Sequence, residues 1–285
     1  KKPLTELMAI EEGLVESGSN KYYGTAFITK VKVGVIGSKK DGSNPADKYG
    51  NMYVTDLESD ELVQVYGSGA SFAALNYDLT IRAYKYTNKQ NFLDNEDTKA
   101  IKVGDVLDVI AIRADYGTAK EISMVIRAIN GKVIANDAVS TDSINATEDS
   151  VNLRKQIVTV SGTITGWSSG KEDGTKYGNF YIKTNDAKKD PVYVYGATAS
   201  SVKTTEGDDG STSSVDVIEL QDDGTLKFNN PQDFLTNEKT KDLKIGDKIT
   251  IKGFRCDYNG TIELNGIVEK YIEPAVEPAP VEATV

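Results

Sequence analysis

The sequence predicts a mainly β protein of two tandem small Greek-key barrels with a short helix at the amino terminus. Three observations lead to this fold class. The chain contains an internal duplication, apolar and polar residues alternate through most of each copy, and only the first residues show helical spacing. Each copy is long enough to bury a core of its own, which predicts two domains.

The first element expected along the chain is a helix from Leu4 to Val15. Apolar and acidic residues recur there at helical spacing, and Gly13 or Gly18 would end the helix.

Strands are predicted wherever apolar residues alternate with polar ones, because one face of a strand then meets a core and the other meets solvent. In the first copy these segments are residues 23–35, 51–56, 62–66, 106–113 and 121–129. In the second copy they are residues 157–166, 179–184, 192–195 and 248–254. Residues 77–86 and 217–228 also alternate and predict an added strand pair in each copy.

The duplication is visible in short motifs. The pentapeptide YGNMY at Tyr49 recurs as YGNFY at Tyr177, and the Lys-x-Gly-Asp motif at Lys102 recurs at Lys244. The two motifs are further apart in the second copy than in the first, so the second copy carries extra residues between them. Lys203–Asp216, rich in Gly, Ser, Thr and Asp, is where they lie, and its composition predicts a surface loop.

Composition sets the expected domain boundaries. The first barrel with its helix takes residues 1–138, and a polar linker without periodicity takes residues 139–150. The second barrel takes residues 151–272, and an acidic, proline-rich tail takes residues 273–285.

The order of the motifs resembles that of the OB-fold. Gly178–Thr184 followed by Val192–Gly196 is similar to the second and third strands of that fold, and Lys244–Gly253 is similar to the entry to its fourth. Since these strings occur twice, residues 20–272 resemble the tandem OB-like secreted or lipid-anchored proteins of Bacteroidetes. The resemblance implies a cell-envelope or outer-surface location in a Gram-negative bacterium, a lipid anchor on the precursor, and a binding role without a known reaction.

Composition excludes several function classes. The chain has no histidine and one cysteine, Cys256, which excludes Cys/His zinc sites, intramolecular disulfides, Ser-His-Asp triads and Cys-His dyads. A net charge of -10 opposes general attraction to phosphate backbones. No apolar run is long enough to span a bilayer, and a chain that begins at Lys1 is expected to be a mature or trimmed product. We expect no enzyme, no metal site and no cofactor.

The second barrel offers the best candidate ligand surface. Alternation directs one register of its strands inward, namely Phe180, Ile182, Val192, Val194, Ile249 and Ile251. The outward residues are Trp167, Tyr181, Lys183, Tyr193 and Tyr195. OB-like barrels commonly hold oligonucleotides or oligosaccharides on this face. Alternatively, these rings pack against the inserted hairpin or the other domain, since tyrosine is a favoured strand residue.

The first barrel is weaker on the same face. It keeps Tyr53 and Tyr66, but Gln64 replaces the middle ring. A ligand is therefore expected on the second barrel.

A strand of the first barrel is apolar on both faces. Ile110 and Ile112 lie in the outward register and must be covered, which predicts that the amino-terminal helix, through Leu7 and Met8, or the second domain packs over them.

A repeated Arg-x-Asp motif has two interpretations. Arg113 with Asp115 and Arg255 with Asp257 would form either a ligand clamp or a fixed turn. Their recurrence at the same strand end in divergent copies favours the structural interpretation.

The sequence therefore predicts a non-catalytic, extracytoplasmic binding or adaptor protein that recognises an oligosaccharide through an aromatic face. Two alternatives stay open. One is a single-stranded nucleic-acid-binding protein that uses the same face, which the net charge disfavours. The other is a structural or assembly subunit whose aromatic face is buried by a protein partner.

Overall fold

The structure is a computed structural model of the 285-residue chain, and it describes residues 1–146, 155–168, 177–185, 187–188 and 190–272. The predicted tail, residues 273–285, and the last part of the predicted linker lie outside the described residues. No helix in the described ranges is long and apolar enough to cross a membrane.

Short helices and many strands follow one another along the chain. They are α1 (Leu4–Met8), β1 (Leu14–Ser17), β2 (Asn20–Tyr23), β3 (Phe27–Ile36), β4 (Met52–Thr55), β5 (Val63–Gly69), β6 (Leu75–Asp78), β7 (Ala83–Tyr86), β8 (Val106–Tyr116), β9 (Glu121–Ile129), β10 (Lys132–Val133), β11 (Asp137–Ala138), α2 (Thr141–Asn145), β12 (Val158–Trp167), β13 (Phe180–Lys183), β14 (Val192–Val194), β15 (Val202–Glu206), β16 (Thr212–Asp216), β17 (Ile218–Leu220), β18 (Leu226–Phe228), β19 (Lys248–Tyr258) and β20 (Thr261–Ile272). Short 3-10 turns form at Phe72–Ala74 and Thr98–Ala100.

Both halves of the chain form a closed barrel, which confirms the predicted fold class. In the part of the chain that the structure describes, five strands close the first barrel in the order β3-β4-β5-β9-β8, and β8 returns to pair with β3. The second barrel repeats this order as β12-β13-β14-β20-β19, and β19 pairs with β12. In each barrel the third strand runs parallel to the last, whereas pairs such as β3–β4 and β19–β20 are antiparallel.

The chain divides into two compact units. Of the described residues, unit 1 takes 1–138, 155–159 and 218–228, and unit 2 takes the others. Hairpin β17–β18 thus belongs to unit 1 although it lies within the second sequence copy. The predicted domain boundaries stay a prediction, because the units do not follow the copies residue by residue.

Each barrel has an apolar interior built from the inward register of its strands. In the first barrel, Leu4 and Leu7 of α1 join the same buried cluster as Val31, Val109 and Met124. In the second barrel, the residues predicted to point inward are at most 1% exposed, which confirms their register: Phe180, Ile182, Val192, Val194, Ile249 and Ile251.

The amino-terminal helix is shorter than predicted. It ends at Met8, and Leu14–Ser17 pairs instead with Asn20–Tyr23 as a hairpin. Gly13 has φ of 76°, which breaks the helical path, and β2 adds to the edge of β8. The prediction of a helix to Val15 was wrong, because Leu14 and Val15 enter a hairpin whose second strand is held by pairing with β8, and this overrides a weak local preference.

The predicted linker contains structure. Thr141–Asn145 forms the short helix α2, and the Ser140 side chain caps it by accepting a hydrogen bond from the Ser143 backbone N–H at 3.3 Å. Ile144 is fully buried, and α2 packs against β14 and β20. One helical turn is too short to show periodicity in a sequence, so this helix was not predicted.

The insertion in the second copy is exposed, as predicted, but it is not an irregular loop. Its residues form hairpin β15–β16, which pairs Val202 with Asp216 and Glu206 with Thr212. The predicted additional strand pairs are β6–β7 and β17–β18.

The apolar outer face of β8 is covered, but not by the amino-terminal helix. Ile112 is fully buried and Ile110 is half-buried. Leu7 packs into the barrel interior, so the helix closes the barrel rather than covering its outside. Strand β7 of the β6–β7 hairpin packs against β8 instead. Of the two covers predicted, the helix was wrong, because Leu7 and Met8 give no sign of which side of the sheet they meet. The β17–β18 turn comes from the predicted second domain, and it lines a cleft together with Ile110.

Candidate functional site

An aromatic row crosses the outer face of the second barrel. Strand register places Tyr181 opposite Tyr193, and Tyr193 opposite Glu263 on the next strand. The Tyr181 and Tyr193 ring centroids lie 5.5 Å apart, with the ring planes inclined by 43°. Lys183 lies two residues beyond Tyr181 in β13. Tyr195 lies two residues beyond Tyr193, just past the end of β14, where its backbone N–H still donates to Leu264. Both therefore share this face. We call Tyr181, Tyr193 and Glu263 the aromatic row.

The row is open to solvent on its tyrosine side. Tyr181 is 36% exposed and Tyr195 is 42% exposed, whereas Tyr193 and Lys183 are half-buried. The structure thus brings together Tyr181, Lys183, Tyr193 and Tyr195, four of the residues singled out from the sequence. Whether they bind a ligand stays a prediction.

Trp167 does not belong to this face. It pairs with the inward-facing Phe180, and its ring packs edge-on against Phe180 at 5.8 Å and Phe234 at 6.0 Å between centroids. The register of β12 shifts between Ile164 and Gly166, so one extra residue reverses the alternation beyond that point. The predicted outward orientation of Trp167 was wrong for this reason, because alternation alone does not reveal a β-bulge.

Glu263 is the member of the row that sequence analysis missed. Glu263 is 7% exposed, and burial raises the pKa of its carboxyl group. Burial also raises the pKa of the Tyr193 phenol, a hydrogen bond with Ser168 lowers it, and the Glu263 charge raises it further. A carboxylate beside two partly exposed rings is a hydrogen-bond acceptor at the edge of an apolar surface. A signal for it existed, since the first copy carries Glu121 at the matching position.

The corresponding row of the first barrel is closed. Tyr53 lies opposite Gln64, and Gln64 lies opposite Glu121. Tyr53 is only 9% exposed, and its hydroxyl is 3.4 Å from both Gln64 Oε1 and the Ser38 carbonyl oxygen. Tyr53, which corresponds to Tyr181, therefore packs within the protein and presents little surface to a ligand. Tyr66, the counterpart of Tyr195, is 58% exposed, so the two faces differ at the Tyr53 and Gln64 positions. The expectation that a ligand favours the second barrel stays a prediction.

The Arg-x-Asp motif is a structural clamp in the first barrel. Arg113 is fully buried, and its Nε and Nη2 atoms donate to the two carboxylate oxygens of Asp115. Its Nη1 atom donates to the carbonyl oxygens of Leu7 and Met8, both at 3.0 Å. The guanidinium thus holds the carboxyl end of α1 on the barrel, where a cation also complements the helix dipole.

The second barrel repeats this clamp. Arg255 Nε and Nη2 donate to Asp257 at 2.8 and 3.1 Å, and Nη1 donates to the carbonyl oxygens of Ile144 and Ala146 at 2.7 and 2.5 Å. The structural interpretation of the motif therefore holds in both copies. It also shows that α2 is the second copy's counterpart of α1.

Comparison with known proteins assigns no relative. No protein-family model matches the chain, and no curated protein is significantly similar to it. Among the described residues, no group of three or more Cys, Asp or Glu side chains is arranged to hold a metal ion.

Proposed function

We propose that this protein is a non-catalytic, extracytoplasmic binding or adaptor protein that recognises an extended oligosaccharide on the aromatic row of its second barrel. The observation that carries the proposal is the pair of partly exposed rings, Tyr181 and Tyr193, 5.5 Å apart beside the buried carboxyl group of Glu263. The cell-envelope location and the lipid anchor on the precursor rest on the resemblance of the duplicated motifs to the Bacteroidetes proteins.

The chemistry of the row suits a neutral sugar chain. Tyrosine rings pack against the C–H faces of sugar rings, and a carboxylate accepts hydrogen bonds from sugar hydroxyl groups. The 43° inclination between the rings gives two surfaces with different orientations, which match successive units of a twisted chain better than a continuous stack of bases. A neutral ligand is also not repelled by a net charge of -10.

Single-stranded nucleic acid fits this surface less well. Stacking a base on an aromatic side chain stabilises such complexes by about 1–3 kcal/mol per base, and OB-folds commonly use this face. Here, however, the carboxyl group of Glu263 lies in the row. Lys183 is a nearby cation, but the protein as a whole carries a net charge of -10. Phosphate contacts would therefore be few, and electrostatic repulsion would oppose binding.

A glycan and oligonucleotide array tests the proposal. Wild-type protein is compared with the double variant Tyr181→Ala, Tyr193→Ala, and with Tyr258→Ala as a control that removes a 64% exposed tyrosine from outside the row. If each ring contributes as a stacked base does, each truncation weakens binding by about 5- to 150-fold. The control should bind as the wild type does.

Salt then distinguishes the ligand classes. Affinity for a neutral glycan should change little between about 50 and 200 mM salt, whereas affinity for an oligonucleotide should fall steeply. A steep salt dependence of the affinity would show that the ligand is a nucleic acid and not a glycan. Binding to no array member, or equal binding by the double variant, would overturn the proposed site and favour a protein partner on this face.

A further inference from the structure

A second candidate site lies within unit 1, on the outside of the first barrel. A cleft of about 300 Å³ runs along β3 and β8, where Ile28 and Ile110 form an apolar floor. Phe72, Tyr77 and Tyr84 line it on the side of the β6–β7 hairpin. This volume is at the lower end for ligand pockets and suits a molecule of about one ring.

A buried arginine lines this cleft. Arg127 is 3% exposed, and its guanidinium carbon lies 5.9 Å from the centre of the Phe72 ring. Within the described part of the chain, its Nη2 atom donates a hydrogen bond to the Lys155 carbonyl oxygen. A guanidinium has five N–H donors, so the described residues use only part of this group's capacity.

The carboxylate whose charge acts on Arg127 is engaged elsewhere. Asp108 lies on the same face and pairs with Lys1 at 2.9 Å and Lys30 at 3.9 Å. It acts on Arg127 only through its charge, and burial lowers the pKa of Arg127 to about 10 despite that charge. Among the described residues, Arg127 thus has one hydrogen bond and no ion pair to offset the burial of its charge. A carboxylate ligand would supply the counter-charge.

The cleft is not a requirement of the barrel. The second copy has Glu269 in place of Arg127, and the pair Glu219 and Lys227 in place of the pair Tyr77 and Tyr84. The same fold therefore forms without the arginine and without these rings.

The β17–β18 turn closes the cleft from the opposite side. Gly224 has φ of 83°, and a Cβ atom there would overlap Ile28 Cδ1 and lie 3.2 Å from Arg127 Nη1. Glycine at this position lets the turn approach the arginine closely. Asp223, beside it, also lines the cleft and accepts hydrogen bonds from Thr225. Its charge favours a monoanion over a phosphate dianion.

We propose that this cleft binds a small organic monocarboxylate carried on a ring, with the carboxylate on the fork of Arg127 and the ring against Tyr77 and Tyr84. A planar guanidinium matches a carboxylate through parallel hydrogen bonds. Tyr77 and Tyr84 meet edge to face at 5.0 Å between centroids, and Tyr77 is 45% exposed, so part of its ring is open to a ligand. This site is separate from the aromatic row and does not depend on it.

Calorimetry and thermal unfolding of the full chain test the proposal with matched probes. D-Galacturonate is compared with neutral D-galactose, and benzoate with neutral benzyl alcohol, because sugar acids and aryl acids share the required chemistry. At least one carboxylate should bind the wild type and raise its melting temperature, and its neutral analogue should not. Which acid binds identifies the source of the ligand.

Three variants make the result specific. Arg127→Met should weaken carboxylate binding by at least about tenfold, since it removes a charged hydrogen-bond donor. It should still fold with an unchanged or higher melting temperature, because replacing a buried charge by an apolar side chain is often neutral or stabilising. Tyr77→Ala truncates a half-exposed ring and should also weaken binding, whereas Lys132→Met, which removes an exposed cation from the same unit, should not.

Three results would overturn the proposal. They are failure of both acids to bind the wild type, equal binding of acids and neutral analogues, and undiminished binding by Arg127→Met. If Arg127→Met were markedly destabilised, the arginine would be a structural element. In that case the Tyr77→Ala variant decides. Undiminished carboxylate binding by this variant would refute the site, and weakened binding would support it.

Discussion

The Arg-x-Asp clamp makes a quantitative prediction for the second barrel. Arg255 is 2% exposed, and replacing it with alanine removes its hydrogen bonds to Asp257 and to the carbonyl oxygens at the end of α2. Removing one partner of a buried ion pair typically costs about 3–5 kcal/mol. The Asp257 side chain is 21% exposed and can regain water, so we expect the lower end, about 3 kcal/mol.

Urea unfolding followed by tryptophan fluorescence is the assay. Trp167 is the chain's single tryptophan and packs on Phe180 in the core of the second barrel, so its emission reports on that barrel. With a typical slope of about 1–3 kcal/mol per molar urea, Arg255→Ala should lower the midpoint by about 1–3 M. Lys248→Ala, which removes an exposed cation from the same strand, is the control. If both variants shifted the midpoint equally, the clamp would be a surface contact and the reasoning would fail.

Further variants test the remaining features. Gly224→Ala should destabilise unit 1 by more than Gly104→Ala. Both variants replace a glycine at positive φ, but of the two only a Cβ at Gly224 would meet other atoms within 4 Å. Similar urea midpoints for the two variants would contradict this. Trp167→Ala should lower the free energy of unfolding by at least about 1 kcal/mol more than Tyr195→Ala, because its ring packs on two buried phenylalanines. Burial raises the pKa of Glu263, so the folded state favours the protonated carboxyl group. The resulting stabilisation is fully present below the usual carboxyl pKa of 4.5, and it is lost as the pH rises through the folded-state pKa. Glu263→Gln should therefore be more stable than the wild type at a pH of about 7, and the difference should shrink below a pH of about 4.5. If the melting temperatures of variant and wild type differed by the same amount at both pH values, Glu263 would not have a raised pKa.

Much of the architecture could be predicted from local patterns. Alternation identified the inward Phe180 and Val192 correctly, because the two-residue period of a strand depends only on neighbouring residues. The duplication doubled each such signal, which is why the two-barrel fold was predictable. The same local reasoning placed Tyr181 and Tyr193 on one face.

The errors occurred at features that residue spacing does not show. Trp167 changed faces because of a bulge, the amino-terminal helix ended at Met8 because the following residues pair with β2, and α2 was too short to be seen. Glu263 and Arg127 were not singled out because charge and spacing do not reveal burial.

By itself, the sequence determined that the chain would fold into two related barrels without the residues of histidine-dependent chemistry, since composition and short-period alternation are local properties. Only the tertiary structure decided which rings stay open to solvent, which carboxyl group lies beside them, and where a guanidinium is buried with unused donors. Those properties arise when strands far apart in the chain come into register and hairpins pack over the faces they leave, and the free energy of such contacts depends on geometry that no single stretch of sequence contains.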